Sequence, residues 1–399
     1  MQTALDKPFH EAMALEREAY LECLASPQHA GLVYASFAER EVAKVPEARA
    51  AQPRVLASIG VVGGGTMGAG IAVCALDAGF PVVMVERDEP SIVRGRVNVE
   101  KVYDALVSKG RMTPEAKAGV MARFTGSTDY AALAQVDLVV EAVFEDLEAK
   151  KTMFRELDRV CKDSAVLATN TSYLDIDAIA ASTSRARDVI GLHFFSPANI
   201  MKLLEIVVPA RVCADVVATA FALAQRLRKV PVRAGVCDGF IGNRILAAYK
   251  QAADHIMKAG ASPYEIDAAV RAFGYPMGPF QVTDLAGGDI GWATRKRRAA
   301  TRDPEVLAIV QAERHSKGVT ARAFTPGEIM RRYIAAMVNE GAWVVAEGIA
   351  LRPLDVDVTF LSGYGFPRHR GGPMMYADTV GLANILDDIR AFAHEDPVF

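Results

Sequence analysis

The sequence predicts a mostly parallel α/β sheet domain followed by an all-helical region, and three observations carry that prediction. From Arg54 onward, short apolar runs alternate with amphipathic segments of helical period, the pattern of strands joined by crossover helices. The first apolar run passes into Gly63-Gly-Gly65-Thr66-Met67-Gly68, a glycine-rich turn that opens a helix. After Asp238 the strand signals vanish and helical periodicity takes over.

Residues 9–44 read as helix, since Phe9, Met13, Leu15, Tyr20, Leu21 and Leu24 recur at helical spacing. Ser26-Pro27 breaks the run, and a second helix is expected through Val42. Two short amphipathic helices cannot form a domain alone, so both are expected to pack on the rest of the chain. Pro46 and Pro53 bracket an alanine-rich linker. Strands are expected near 55–62, 81–86, 137–141, 165–169, 189–194, 203–208 and 230–233. Residues 239–316 read as helices, broken at Gly260-Ala-Ser-Pro263 and at Gly274-Tyr-Pro-Met-Gly-Pro279. Thr325-Pro326 supplies an N-cap and first-turn proline for a long helix over 326–350, and a last helix is expected near 379–393.

A chain of 399 residues is long enough for two or three domains, each burying its own core. The formal net charge of −3 implies no polyanion, so a nucleic-acid partner is not expected. The basic cluster Arg295-Lys-Arg-Arg298 reads as a solvated helix end. Five cysteines without paired spacing fit a reducing compartment, and neither a disulfide framework nor a metal site. No apolar run reaches membrane-spanning length and no signal-peptide core opens the chain, so a cytoplasmic protein without membrane insertion is expected.

The glycine run carries the first chemistry. Gly63 permits a tight turn, Gly65 lets the backbone approach a pyrophosphate, and Gly68 lets helix and strand pack closely. The free amides of the helix start, with Thr66 and Met67, then face the phosphates. The second strand ends in Glu86, 23 residues after Gly63, where a carboxylate bonds both ribose hydroxyls and repels a 2′-phosphate. NAD is expected over NADP, with Arg87 next door working the other way. The fold class is therefore an α/β Rossmann-type dinucleotide-binding domain followed by all-α C-terminal domains.

Two further strand ends bear polar groups where ligands of open sheets bind. Val139-Val-Glu-Ala-Val-Phe-Glu145 ends in a carboxylate with Lys150 on the next helix, and Thr169-Asn170-Thr-Ser172 offers hydroxyls and an amide. Glu145 and Ser172 could equally cap the helices that come after them. Downstream, His193 lies twelve residues before Glu205, each in an apolar run, with Pro197 in the turn between. A lone strand histidine is usually a satisfied core residue, but a buried unpaired carboxylate is costly. A hairpin reversal would bring the two side by side as an acid–base dyad, the carboxylate fixing the tautomer and leaving the other nitrogen as a base.

On these residues the chain resembles the L-3-hydroxyacyl-CoA dehydrogenase family, and within it the dehydrogenase part of multifunctional fatty-acid β-oxidation enzymes. The motifs are G-G-G-T-M-G-A-G-I-A (63–72), N-T-S-Y-L (170–174), G-L-H-F-F-S-P (191–197), M-K-L-L-E-I-V (201–207), D-G-F-I-G-N-R (238–244) and G-Y-P-M-G-P-F (274–280). The resemblance implies His193 as catalytic base with Glu205 as its partner, Ser172 and Asn243 as substrate contacts, and the glycine loop, Glu86, Glu145 and Lys150 as cofactor contacts. It implies NAD-dependent oxidation of an acyl-CoA substrate, with a hydratase or thiolase as a candidate partner. It also implies a layout of 1–52 as a helical remnant of a hydratase/isomerase domain, 53–234 as the NAD-binding domain, and 235–318 and 319–399 as two helical dehydrogenase domains. The last resembles a second copy that would cover the usual dimer surface, favouring a monomer over a homodimer.

The chain departs from the family at Ser196, where single-function members commonly carry asparagine, and at a short join over Thr301-Arg-Asp-Pro-Glu305. Without a hydratase/isomerase body, neither of those activities is expected. Two alternatives stand beside the dehydrogenase: a weakly active or scaffolding subunit of a β-oxidation complex, and a related β-hydroxyacid dehydrogenase, which would use a lysine base.

Overall fold

The computed structural model describes residues 6–287, 304–396 and 398–399. The basic cluster at Arg295–Arg298 and residues 301–303 of the short join lie outside those residues; the last two residues of the join open a helix, Pro304–Ser316. The chain divides into two compact units that are not consecutive in sequence. One comprises Glu39–Asn243 with Ala346–Asp355, the other Met1–Ala38 with Arg244–Val345 and Val356–Phe399.

The first unit is built on an eight-stranded sheet ordered β3-β2-β1-β4-β5-β6-β7-β8. The strands are β1 (Ile59–Val62), β2 (Val82–Val85), β3 (Phe124–Ser127), β4 (Leu138–Glu141), β5 (Val166–Thr169), β6 (Val189–Phe194), β7 (Leu203–Val207) and β8 (Val230–Ala234). All pairings are parallel except β6 with β7. Strands β1, β4 and β5 are buried at every position, as central, mainly apolar strands are when helices cover both faces. The strand order reverses between β1 and β4, which opens a crevice at their carboxyl ends.

Two expectations need correction here. The first strand starts at Ile59, not 55, and Val55 is exposed because Arg54 holds this approach through Asp188 (2.6 Å) and Asp215 (2.8 Å). The edge strand β3 adds to the expected set: its sequence, Phe-Thr-Gly-Ser, buries only the phenylalanine fully.

In the helical unit the helix Pro27–Glu41 packs as expected, through buried Gly31 and Ala35, and Tyr34 donates to Asp357 at 2.7 Å. The helix Phe9–Ala25 does not. None of its residues is buried, and its apolar stripe, including Phe9, Met13, Tyr20 and Leu21, stays exposed. The long helix runs Pro326–Ala346, with Thr325 Oγ1 accepting the Glu328 amide at 3.2 Å. The last expected helix runs Leu382–Ala393, and Gly381, where φ is +98°, separates it from a preceding helix, Pro373–Val380.

Two buried aspartates cap helix starts in this unit. Asp267 accepts the Phe280 amide at 3.0 Å, and Asp357 accepts the Met374 amide at 2.7 Å. Burial pushes Asp267 up to about 6 and Asp357 up to about 7. A raised folded-state pKa means the folded state holds the proton more tightly than the unfolded chain. The associated stability is full below the unfolded value of about 4 and is lost as pH rises through about 7. An Asp357→Asn protein, which cannot ionise there, should gain melting temperature relative to the parent as pH is raised from about 5 to about 8. A difference between the two proteins that stays flat across that range would rule this out.

Candidate active site

The crevice between β1 and β4 holds the glycine loop. Gly63 adopts φ +99°, and a Cβ there would lie 2.8 Å from the Ala142 carbonyl oxygen, so only glycine turns the chain at this point. A Cβ at Gly68 would lie 1.8 Å from the Gly63 carbonyl oxygen, which makes the close approach of helix and loop depend on its absence. A Cβ at Gly65, by contrast, would meet nothing within 4 Å. The helix Thr66–Asp77 begins here with no side-chain cap, so its first amides are free for an anion. Beside it lies a cleft of about 380 Å³ lined by Gly64, Gly65, Glu86, Arg94, Asn98 and Lys101. Glu86 accepts the Gly64 amide at 2.7 Å, and Asn98 donates to the Gly64 carbonyl at 3.1 Å. Asn98, Arg94 and Lys101 give no signal in the sequence, because they sit on a polar helix face with no motif to mark them. These groups fit a dinucleotide: an uncapped helix start for the pyrophosphate, open space above Gly65, and a carboxylate at the end of β2.

The second constellation sits at the ends of β4 to β7. His193 and Glu205 are register partners in the antiparallel β6–β7 pairing, which puts both side chains on one face. The His193 Nδ1 lies 2.7 Å from Glu205 Oε2, with His193 only 4% exposed and Glu205 fully buried. The other carboxylate oxygen, Oε1, accepts the Gly242 amide at 2.9 Å. A carboxylate engaged in this way makes Nδ1 the protonated ring nitrogen and leaves the Nε2 lone pair free. Nε2 lies 3.3 Å from Ser172 Oγ. Asn243 comes after Gly242 in the first turn of the helix Gly242–Ala259 and is half-buried.

Glu145 is half-exposed and supports the Ser172 turn, accepting from Thr171 Oγ1 (2.5 Å) and the Ser172 amide (2.8 Å). Neither Glu145 nor Ser172 is a helix cap; Asp146 and Asp175 take those positions. Lys150 is fully buried and bonds both oxygens of Glu141, at 2.7 and 2.8 Å, with Glu145 3.7 Å away. Glu141, equally buried, also accepts from Thr169 Oγ1 at 2.7 Å. Glu141 is a site residue that sequence reasoning missed. A carboxylate closing an apolar strand, nine residues before a lysine, is the signal that could have found it. A larger, mainly apolar cleft of about 620 Å³ in the helical unit, lined by Phe273, Met330, Ile334 and Tyr376, holds none of the expected site residues.

Comparison with known proteins points to one family. Residues 58–237 match the 3-hydroxyacyl-CoA dehydrogenase NAD-binding domain, and residues 239–321 match the C-terminal domain of the same family. A peroxisomal bifunctional enzyme from Cavia porcellus is 36% identical over 454 aligned residues, covering 100% of this chain and 62% of the relative. This chain thus spans less than two thirds of that relative's length. Among solved structures, 3-hydroxybutyryl-CoA dehydrogenase from Escherichia coli superposes with a TM-score of 0.73 at 26% identity, over 86% of this chain and 95% of the other. The dehydrogenase part of multifunctional enzyme 1 from C. elegans gives 0.64 at 27% identity, over 92% and 93%.

Proposed function

Because this chain belongs to the 3-hydroxyacyl-CoA dehydrogenase family, we propose that it oxidises (S)-3-hydroxyacyl-CoA to 3-ketoacyl-CoA in fatty-acid β-oxidation. The observation that carries this reading is the buried His193–Glu205 pair with Ser172 beside its free nitrogen. His193 Nε2 removes the C3 hydroxyl proton, and Glu205 stabilises the imidazolium that results. Ser172 and Asn243 orient the substrate oxygens, so that the C–H bond and the base are presented together. NAD, when bound, would supply the acceptor for the hydride that leaves C3. The glycine loop with Thr66 and Met67 would hold its pyrophosphate and Glu86 its ribose, while Glu145, backed by Lys150, would line the reacting end.

The direct test is the appearance of NADH absorbance with (S)-3-hydroxybutyryl-CoA and with a long-chain analogue. Turnover of either supports the reading. A protein that binds NADH but turns over neither would instead be a scaffolding subunit. Related β-hydroxyacid dehydrogenases are disfavoured because a histidine, not a lysine, occupies the base position. Hydratase and isomerase activities are expected to be absent. We assign the functional layout as 1–52, 53–234, 235–318 and 319–399, and a monomer.

Cofactor choice gives a second test. Glu86→Ala removes the charge facing a 2′-phosphate, and should shift the NAD-to-NADP ratio of kcat/KM towards NADP by about tenfold or more. An unchanged ratio would mean that Glu86 serves only to hold the Gly64 amide. For compartment, among the described residues no helix is long and apolar enough to cross a membrane. The five cysteines are free, which fits the reducing cytoplasm, our assignment. The names of several relatives point to the peroxisome instead, and localisation of the tagged protein decides between them.

A further inference from the structure

Phe240 combines an uncommon backbone conformation with full burial. It is a non-glycine residue with φ +51°, in the left-handed region that a Cβ disfavours, and it comes directly after Gly239, itself at φ +75°. It is also fully buried, in a turn closed by the Phe240 amide donating to the Cys237 carbonyl at 3.3 Å. Such a backbone persists only where its surroundings over-determine it. Here they do so on both sides of the residue. Its ring meets the His193 imidazole edge-on, with centroids 5.6 Å apart, while Phe195 flanks the same imidazole at 4.3 Å. Two residues later the chain presents the Gly242 amide, at the start of a helix, to Glu205 Oε1.

Two consecutive left-handed residues reverse the chain sharply, and the reversal joins both contacts to one residue. With Phe240 in an ordinary extended or helical conformation, the ring and the Gly242 amide could not both keep their places. We propose that Phe240 is a positioning residue of the dyad: its backbone aims the Gly242 amide at Glu205, and its ring walls the imidazole. The role rests on the dehydrogenase reading given above. Its effect is on geometry at the reacting centre and not on cofactor affinity, because the glycine loop and the Glu86 cleft lie on other elements. Glu205 without the Gly242 amide could rotate away from Nδ1, and His193 without the ring wall could leave the orientation in which Nε2 faces Ser172.

Two variants separate the contributions. Phe240→Leu keeps apolar bulk but loses the flat ring; Phe240→Val adds β-branching, which opposes the left-handed backbone. We expect kcat to fall about tenfold in Phe240→Leu and about a hundredfold in Phe240→Val. The KM for the acyl-CoA and the Kd for NADH should stay within about twofold of the parent in both. If Phe240→Val does not fold, Phe240→Leu decides alone. A folded Phe240→Leu protein with parental kcat overturns the proposal, and so does a loss of kcat matched by an equal loss of NADH affinity, the mark of a loosened domain. His193→Ala is run alongside: full activity there would remove the dyad reading itself, whatever Phe240 does.

Discussion

A Glu205→Gln protein is expected to fold and to bind NADH, yet to lose about 10²–10⁴-fold in kcat/KM. The two side chains are nearly the same shape, so the loss comes from hydrogen-bond polarity. Glu205 accepts at both oxygens, from His193 Nδ1 and from the Gly242 amide. A carboxamide has only one oxygen. If that oxygen keeps the Gly242 amide, the NH2 group faces Nδ1, which must then be unprotonated and accept. The ring proton moves to Nε2, and the nitrogen that should take the substrate proton is already occupied. If the amide flips, NH2 faces the Gly242 N–H and leaves two buried donors opposed. Either arrangement also removes the negative charge that stabilises the imidazolium in the proposed mechanism. Steady-state NADH formation with (S)-3-hydroxybutyryl-CoA, beside NADH binding followed by fluorescence, checks this. Activity within about threefold of the parent would mean that the carboxylate only packs beneath the histidine.

Why this pair is legible in the sequence, while other parts of the site are not, has physical reasons. His193 and Glu205 stand out because polar residues in two apolar runs joined by a proline turn must answer for their burial, and antiparallel pairing supplies a mutual answer. The glycine loop is legible because tight turn, anion approach and close packing constrain residue type at fixed spacing. The strand Phe124–Ser127 is not, since an edge strand with one fully buried side chain leaves almost no periodic signal. The helix Phe9–Ala25 shows the opposite limit: its apolar stripe is visible, but a stripe records a face and not whether anything covers it. The caps that Glu145 and Ser172 could have supplied fall one residue later, on Asp146, and three residues later, on Asp175. Residue type suits either position, and only the loop path chooses between them.

Lys150→Met is expected to destabilise the sheet unit by about 3–5 kcal/mol, because it strands the fully buried Glu141 without its cation. Resemblance alone makes Lys150 a cofactor contact. Its ammonium, however, is fully buried and directs its hydrogens to both Glu141 oxygens and, at 3.3 Å, to the Asn170 carbonyl. What it offers the reacting end therefore passes through Glu145, 3.7 Å away, and through the strand end that carries Asn170. Asn170 in turn accepts the Phe194 amide at 2.9 Å, so the same lysine steadies the chain next to His193. The double variant Glu141→Gln with Lys150→Met separates the two roles, since it removes both charges together. It should recover most of the stability lost by Lys150→Met, as replacing both members of a buried pair usually does. Chemical denaturation of the three proteins reads this directly. A Lys150→Met protein with parental stability and a raised KM for NAD would place the ammonium on the cofactor after all. Recovery of stability in the double variant without recovery of kcat would show that the buried pair also sets the Glu145 and Asn170 contacts on which the Ser172–His193 geometry depends.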